Sequence, residues 1–250
     1  MTCSMFLVTY AGAALLLAAR VSSALNFTVS NGQIYTPGLV IVNAPQPSTP
    51  LGGDTIEVAL DVSANGRLPL PPYPEDSPSV IHFIHIFLSS YDTNRNLTIT
   101  NGTASANNAS LSDIMLQEPG STVKHVKWTW PDCLVGDGSQ QQGLGETDRG
   151  AYNVSIRQSF RLNGQDHYTV FDLPISVSNS IPASDSRPSC DVLDNPLLTP
   201  EEILASADAM SVMFAPGDAT TLQTSRSGAG SLRRGLGWAG LAGLCAALIM

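Results

Sequence analysis

Residues 148–160 read Asp148-Arg149-Gly150-Ala151-Tyr152-Asn153-Val154-Ser155-Ile156-Arg157-Gln158-Ser159-Phe160. Tyr152, Val154, Ile156, Gln158 and Phe160 alternate with Asn153, Ser155, Arg157, Ser159 and Arg161. A repeat of two places one set on each face of a strand, so this stretch reads as a half-buried β-strand. Asn163-Gly164 follows, the residue pair that a two-residue hairpin turn favours most. Tyr168 to Val177 then returns as the next strand.

The same pattern recurs upstream. Ile56, Val58, Leu60 and Val62 alternate with Thr55, Glu57, Ala59 and Asp61, and Asn65-Gly66 supplies a turn. Leu68 to Pro78 holds five prolines and reads as a loop over a sheet edge. Val80 to Tyr91 is apolar on both faces in its first half, which marks a central strand. Val123 to Trp130 alternates again, and Leu39 to Val42 reads as a short first strand. Helical periodicity is almost absent until Thr199-Pro200-Glu201-Glu202, a capping box with Pro at the first helical position. Ile203, Ala207, Met210 and Phe214 then share one face at helical spacing. The expectation is a mainly β protein: an immunoglobulin-like antiparallel sandwich over residues 25–198, with one short amphipathic helix over 199–214.

One local motif carries the immunoglobulin-like part. Asp148-Arg149-Gly150-Ala151-Tyr152-Asn153-Val154 resembles the D-x-G-x-Y-x-(C/V) signature at the corner between the fifth and sixth strands of immunoglobulin-like domains. The resemblance implies that the Tyr152 hydroxyl bonds back to upstream backbone and pins the corner. Val154 stands where antibody domains place a cysteine.

The composition divides the chain. It has 250 residues, 43% hydrophobic and 13% charged, with a net charge of -9 and a mean hydropathy of +0.08. An acidic balance argues against a nucleic-acid binder, which needs a basic footprint. Much of the apolar excess sits at the ends. Residues 5–19 are apolar, and Ser22-Ser23-Ala24 supplies the small residues of a cleavage site, so residues 1–24 read as a secretory signal peptide. Residues 215–227 are rich in Ser, Thr and Gly and read as a stalk. Residues 228–250 carry a short spacer and an apolar tail, the layout of a GPI-attachment signal. Ser227 is the preferred attachment residue, with Ser225 and Gly228 as alternatives. Removing the ends removes Arg20, Arg233 and Arg234, leaving nine basic residues against 21 acidic ones and a charge of -12.

The expected mature chain keeps Cys133 and Cys190. In an oxidising compartment the simplest reading is a disulfide between them, with free thiols or a thiolate metal site as the alternative. Five glycosylation sequons start at Asn26, Asn96, Asn101, Asn108 and Asn153. Three of them fall within residues 96–110, which reads as an exposed, glycan-covered hairpin or loop.

Catalytic signatures are scarce. The chain has no G-x-S-x-G elbow, no P-loop and no H-E-x-x-H. Gly235-x-Gly237-x-x-Gly240 follows no strand and is accidental. His82 and His85 are three apart, so on a regular strand they point to opposite faces and share no ion. Asp132 and Asp137 flank Cys133 in a Gly-rich loop without EF-hand spacing. No catalytic residue, metal site or cofactor is assigned. Trp128 and Trp130 lie two apart on one strand, where they either stack sugar rings or pack in the core.

The layout of signal, acidic glycosylated β domain, stalk and anchor signal resembles uncharacterised GPI-anchored surface glycoproteins of filamentous fungi. Pro37-Gly38-Leu39-Val40-Ile41-Val42-Asn43-Ala44-Pro45 and Trp130-Pro131-Asp132-Cys133-Leu134-Val135-Gly136-Asp137-Gly138 carry the resemblance. The resemblance brings no known activity; the secretion-and-anchor layout around a domain without a recognisable catalytic constellation leads to the expectation of a non-enzymatic protein on the outer face of the plasma membrane or in the cell wall, acting in wall organisation, adhesion or host contact. Its partners would be the membrane, through the lipid, and wall polysaccharide or a surface protein. A secreted carbohydrate-binding module or effector is the first alternative, and a wall-located carbohydrate-active or metal-dependent enzyme the second.

Overall fold

A computed structural model describes residues 27–100, 113–138 and 148–224. The protein is mainly β, with ten strands in two sheets. In chain order the strands are β1 (Thr28–Ser30), β2 (Gln33–Tyr35), β3 (Ile41–Ala44), β4 (Pro50–Leu51), β5 (Thr55–Asp61), β6 (Val80–Ser90), β7 (Arg95–Thr100), β8 (Val123–Thr129), β9 (Gly150–Leu162) and β10 (Gln165–Val177). The first sheet runs β1-β2-β3-β5-β8 and the second β4-β10-β9-β6-β7. All pairs are antiparallel except β4 with β10. Consecutive strands β1–β3 share the first sheet, β6–β7 and β9–β10 pair within the second, and the chain crosses between the sheets at the other connections, which gives a β-sandwich.

The alternation at 150–162 builds the second sheet. Tyr152, Val154, Ile156, Gln158 and Phe160 point inward and are buried. β9 and β10 pair over their whole length, from Gly150↔Val177 to Leu162↔Gln165. Asn163 and Gly164 at the turn have φ of 53° and 92°, the left-handed conformation that a two-residue turn between twisted strands needs. On the first sheet Ile56, Val58 and Leu60 face inward from β5, opposite Val126 and Trp128 of β8. The two inner faces form one continuous core.

Gln158 joins the sheets. It is completely buried, yet its Oε1 accepts from the Leu39 and Val40 amides at 2.9 and 3.2 Å, and its Nε2 donates to the Thr36 hydroxyl at 3.2 Å. The loop before β3 therefore lies directly on this side chain. A Cβ on Gly38 would stand 2.2 Å from the Gln158 amide, so any larger residue must displace that side chain and its bonds to Leu39 and Val40.

Four expectations change. A hairpin, β1–β2, precedes the expected first strand, turning at Asn31-Gly32 with φ of 52° and 75°, and β3 begins at Ile41 rather than Leu39. The exposed hairpin or loop expected over 96–110 is corrected where it is described: residues 95–100 form β7, which does make a hairpin with β6 but is almost entirely buried, because Leu97 and Ile99 fill the core, while 101–110 lie outside the described residues. The helix beginning at Pro200 has its capping box but ends at Ser206, short of 214. Asp208 then bonds Tyr168 through both backbone and side chain, which pulls the chain into an extended path, and Met213 and Phe214 enter the core without a helix. Finally, residues 215–224 lie against the domain rather than standing off as a stalk. Arg67 donates to Thr220, Asn163 bonds Thr221 and Gln223, and Leu222 packs on the core.

Candidate functional site: the outer face of the second sheet

The candidate site begins with an irregularity in β6. Ile81 pairs with Phe160 and Phe83 with Ser159, so His82 is one residue extra, a β-bulge. Beyond it Ile84, Ile86 and Leu88 point into the core, while Phe83, His85 and Phe87 form a half-buried row on the outer face. The strand neighbours of this row are Ser159, Arg157 and Ser155 on β9, and beyond them Tyr168, Val170 and Asp172 on β10.

The row is ordered by ring contacts. Phe83 and His85 stack with centroids 4.3 Å apart and planes 21° from parallel. The Arg157 guanidinium sits over the Phe87 ring, 4.4 Å from its centroid. Burial lowers the His85 pKa and Arg157 lowers it further. Burial raises the Asp172 pKa, against the opposing pull of the Ser155 hydroxyl and Arg157. Arg157 Nε and Asp172 Oδ1 are buried and make no hydrogen bond among the described residues. Tyr91, 45% exposed, closes the row at the far end of β6.

A segment from the C-terminal side spans this face. Its first anchor is the free edge of β7. Asp194 binds the Arg95 guanidinium and the Asn96 amide, each at 2.9 Å, and Asn195 reaches the Asn96 carbonyl and the Thr98 hydroxyl. Leu198 accepts from the Tyr91 hydroxyl at 3.0 Å. A short helix α1 (Cys190–Leu193) precedes these anchors, and α2 (Pro200–Ser206) follows them. The last anchor is the edge of β10, where the Asp208 amide donates to the Tyr168 carbonyl at 2.8 Å and the Tyr168 amide to the Asp208 carboxylate at 2.9 Å. The two edges are three strand spacings apart, about 14 Å. The inner face is filled by the other sheet, so residues 196–208 cross on the outer side as a strap.

The sequence-predicted residues fall elsewhere. Cys133 and Cys190 are bonded, joining the turn Asp132–Leu134 to α1. Asp132 Oδ1 accepts from the Cys190 amide at 3.0 Å. Among the described residues, the cluster of metal-ligating atoms is Asp132, Cys133 and Cys190, and its two sulfurs are bonded to each other. Tyr152 donates to the Asp148 carbonyl four residues upstream, and Thr93 lies 2.9 Å from the same hydroxyl. The sugar-stacking reading of Trp128 and Trp130 is corrected: both rings are fully buried, packed edge to face at 5.8 Å, and offer no surface to a ligand. His82 contacts Asp166 at 3.2 Å while His85 stacks on Phe83, so they serve different neighbours. Asn153 is partly exposed on the outer face of β9, whereas Asn96 is buried. Asn26, Asn101, Asn108, Ser225, Ser227 and Gly228 lie outside the described residues.

A hollow of about 340 Å³ is lined by Glu75, Asp76, Ser77, Pro78, Arg161, Gly164 and Asp166. Arg161, first, and His82 hold the Asp166 carboxyl below its usual range, so that carboxylate is already paired. The aromatic row on β6 went unrecognised because its apolar residues read simply as those of a central strand. The bulge and the strap that set them apart are long-range features.

No protein family matches the chain, and neither a curated protein nor a solved structure matches it. No helix among the described residues is long and apolar enough to cross a membrane.

Proposed function

We propose that the protein is a non-enzymatic, GPI-anchored cell-surface glycoprotein that uses the outer face of its second sheet to contact cell-wall polysaccharide. The observation that carries the contact is the half-buried row Phe83, His85 and Phe87 with Arg157 laid over it. Aromatic faces take up the apolar C–H faces of a sugar ring, and neighbouring polar groups select hydroxyls. Arg157 supplies the cation beside the row, and Tyr91, 45% exposed, lies at its end. The surface location is supported by the disulfide, which suits an oxidising compartment, and by the sequence layout of leader, sequons and tail.

Two measurements test the two halves. Phosphatidylinositol-specific phospholipase should release the protein from membranes; retention after digestion would remove the anchor. On a wall-glycan array the native protein should bind, and Phe87→Ala and Arg157→Ala should each weaken binding about tenfold or more, in line with the loss of one stacking or charged contact. No binding by the native protein, or binding by both variants as tight as the native protein's, would remove the glycan-contact role.

A further inference from the structure

Asn96 opens a sequon, Asn96-Leu97-Thr98, yet it is only 2% exposed. Its side-chain nitrogen donates to the Pro196 carbonyl at 3.0 Å. Its backbone amide donates to Asp194 and its carbonyl accepts from Asn195. The sequon hydroxyl is engaged by the same segment: Thr98 Oγ1, on a residue 8% exposed, accepts from Asn195 Nδ2 at 2.7 Å. The sequon's amide nitrogen and its hydroxyl are therefore both engaged by residues 195–196, and the Asn96 Oδ1 is buried without a hydrogen-bond partner among the described residues.

We propose that Asn96 is held free of glycan in the native protein, because glycosylation there and docking of the strap exclude one another. Glycan transfer joins the amide nitrogen to the anomeric carbon of a lipid-pyrophosphate-linked oligosaccharide. The pyrophosphate leaves with its lipid and the nitrogen loses a proton. The product nitrogen carries a bulky sugar where Pro196 now sits, so Asp194–Pro196 could not lie on β7. Asn153 is different: its side chain is partly exposed on the sheet face, and no segment among the described residues takes up its amide nitrogen in a hydrogen bond. The two asparagines share one chain and one route of export, and only one of them is compatible with a glycan after folding.

This inference rests on the secretory route proposed above, and the test separates the two. Protein secreted by its own host is deglycosylated enzymatically in ¹⁸O-water and its peptides are mapped by mass. The expected result is label at Asn153 and none at Asn96. Label at Asn96, in protein whose residues 194–208 are protected from hydrogen exchange, overturns the proposal. A complete lack of glycan at every sequon counts against the secretory reading instead. The exclusion is then decided by Asn96→Asp, which replaces the donating amide with an anion facing the Pro196 carbonyl. Exchange across 194–208 should quicken about tenfold in that variant and stay unchanged in Asn153→Asp. Unchanged exchange in Asn96→Asp overturns the proposal whatever the glycan map shows.

Discussion

At the scale of single residues, polar side chains decide as much as apolar ones. Gln158 lies on the inward side of β9, where the alternation calls for an apolar residue, and its amide satisfies two backbone N–H groups across the sandwich. Gln158→Leu keeps the volume but orphans both amides. It should cost about 2–3 kcal/mol in urea unfolding, since each buried donor left unpaired costs about 1–3 kcal/mol. Asp172 works in the opposite sense. Burial raises its folded pKa above the unfolded value, so the folded state binds the proton more tightly. Its contribution is complete below the unfolded pKa and is lost as pH rises through the folded one. Asp172→Asn should therefore raise the melting temperature at neutral pH, and the gain should shrink on acidification towards the ordinary carboxylate range. A gain that persists undiminished at low pH would contradict this assignment.

The elements show how local signals meet distant ones. The turn at Asn163-Gly164 and the period of two around it were legible in the sequence, and β9–β10 follows that reading closely. The corner residue Tyr152 was legible through its motif. Its hydroxyl is buried, pushed up to about 12 mainly by burial, and bonds Asp148 and Thr93. Tyr152→Phe should cost about 1–2 kcal/mol of stability, whereas Tyr91→Phe, at a site 45% exposed, should cost much less in the same melts. The burial of β7 and the early end of α2 escaped the sequence for one reason. Each is completed by a partner far along the chain: β7 by residues 194–196 and the segment after α2 by Tyr168. A local pattern contains no sign of such a partner. The capping box started α2 where expected, but the pull of β10 ended it early.

Over the whole molecule, one covalent link and one strap tie the C-terminal side to the sandwich. The disulfide closes a loop of 57 residues. Replacing both Cys133 and Cys190 by Ser should cost about 4 kcal/mol, the loop-closure entropy returned to the unfolded chain, measurable by chemical denaturation. Arg187 reinforces the same region from a buried position, donating to the Trp130, Asp54 and Pro182 carbonyls.

By itself the sequence determined the class of fold, the hairpin at 150–177, the corner tyrosine and the cysteine pair. All of these rest on residues close in the chain or on simple counting. It also raised the expectation of export and anchoring, from the two apolar ends and the sequons. The tertiary structure alone decided that Trp128 and Trp130 are core, that Asn96 is sealed beneath Pro196, and that Phe83, His85, Phe87 and Arg157 form a surface row. Burial depends on what packs across a sheet or over its edge. Those neighbours come from residues some sixty to a hundred positions away, and no local period encodes them.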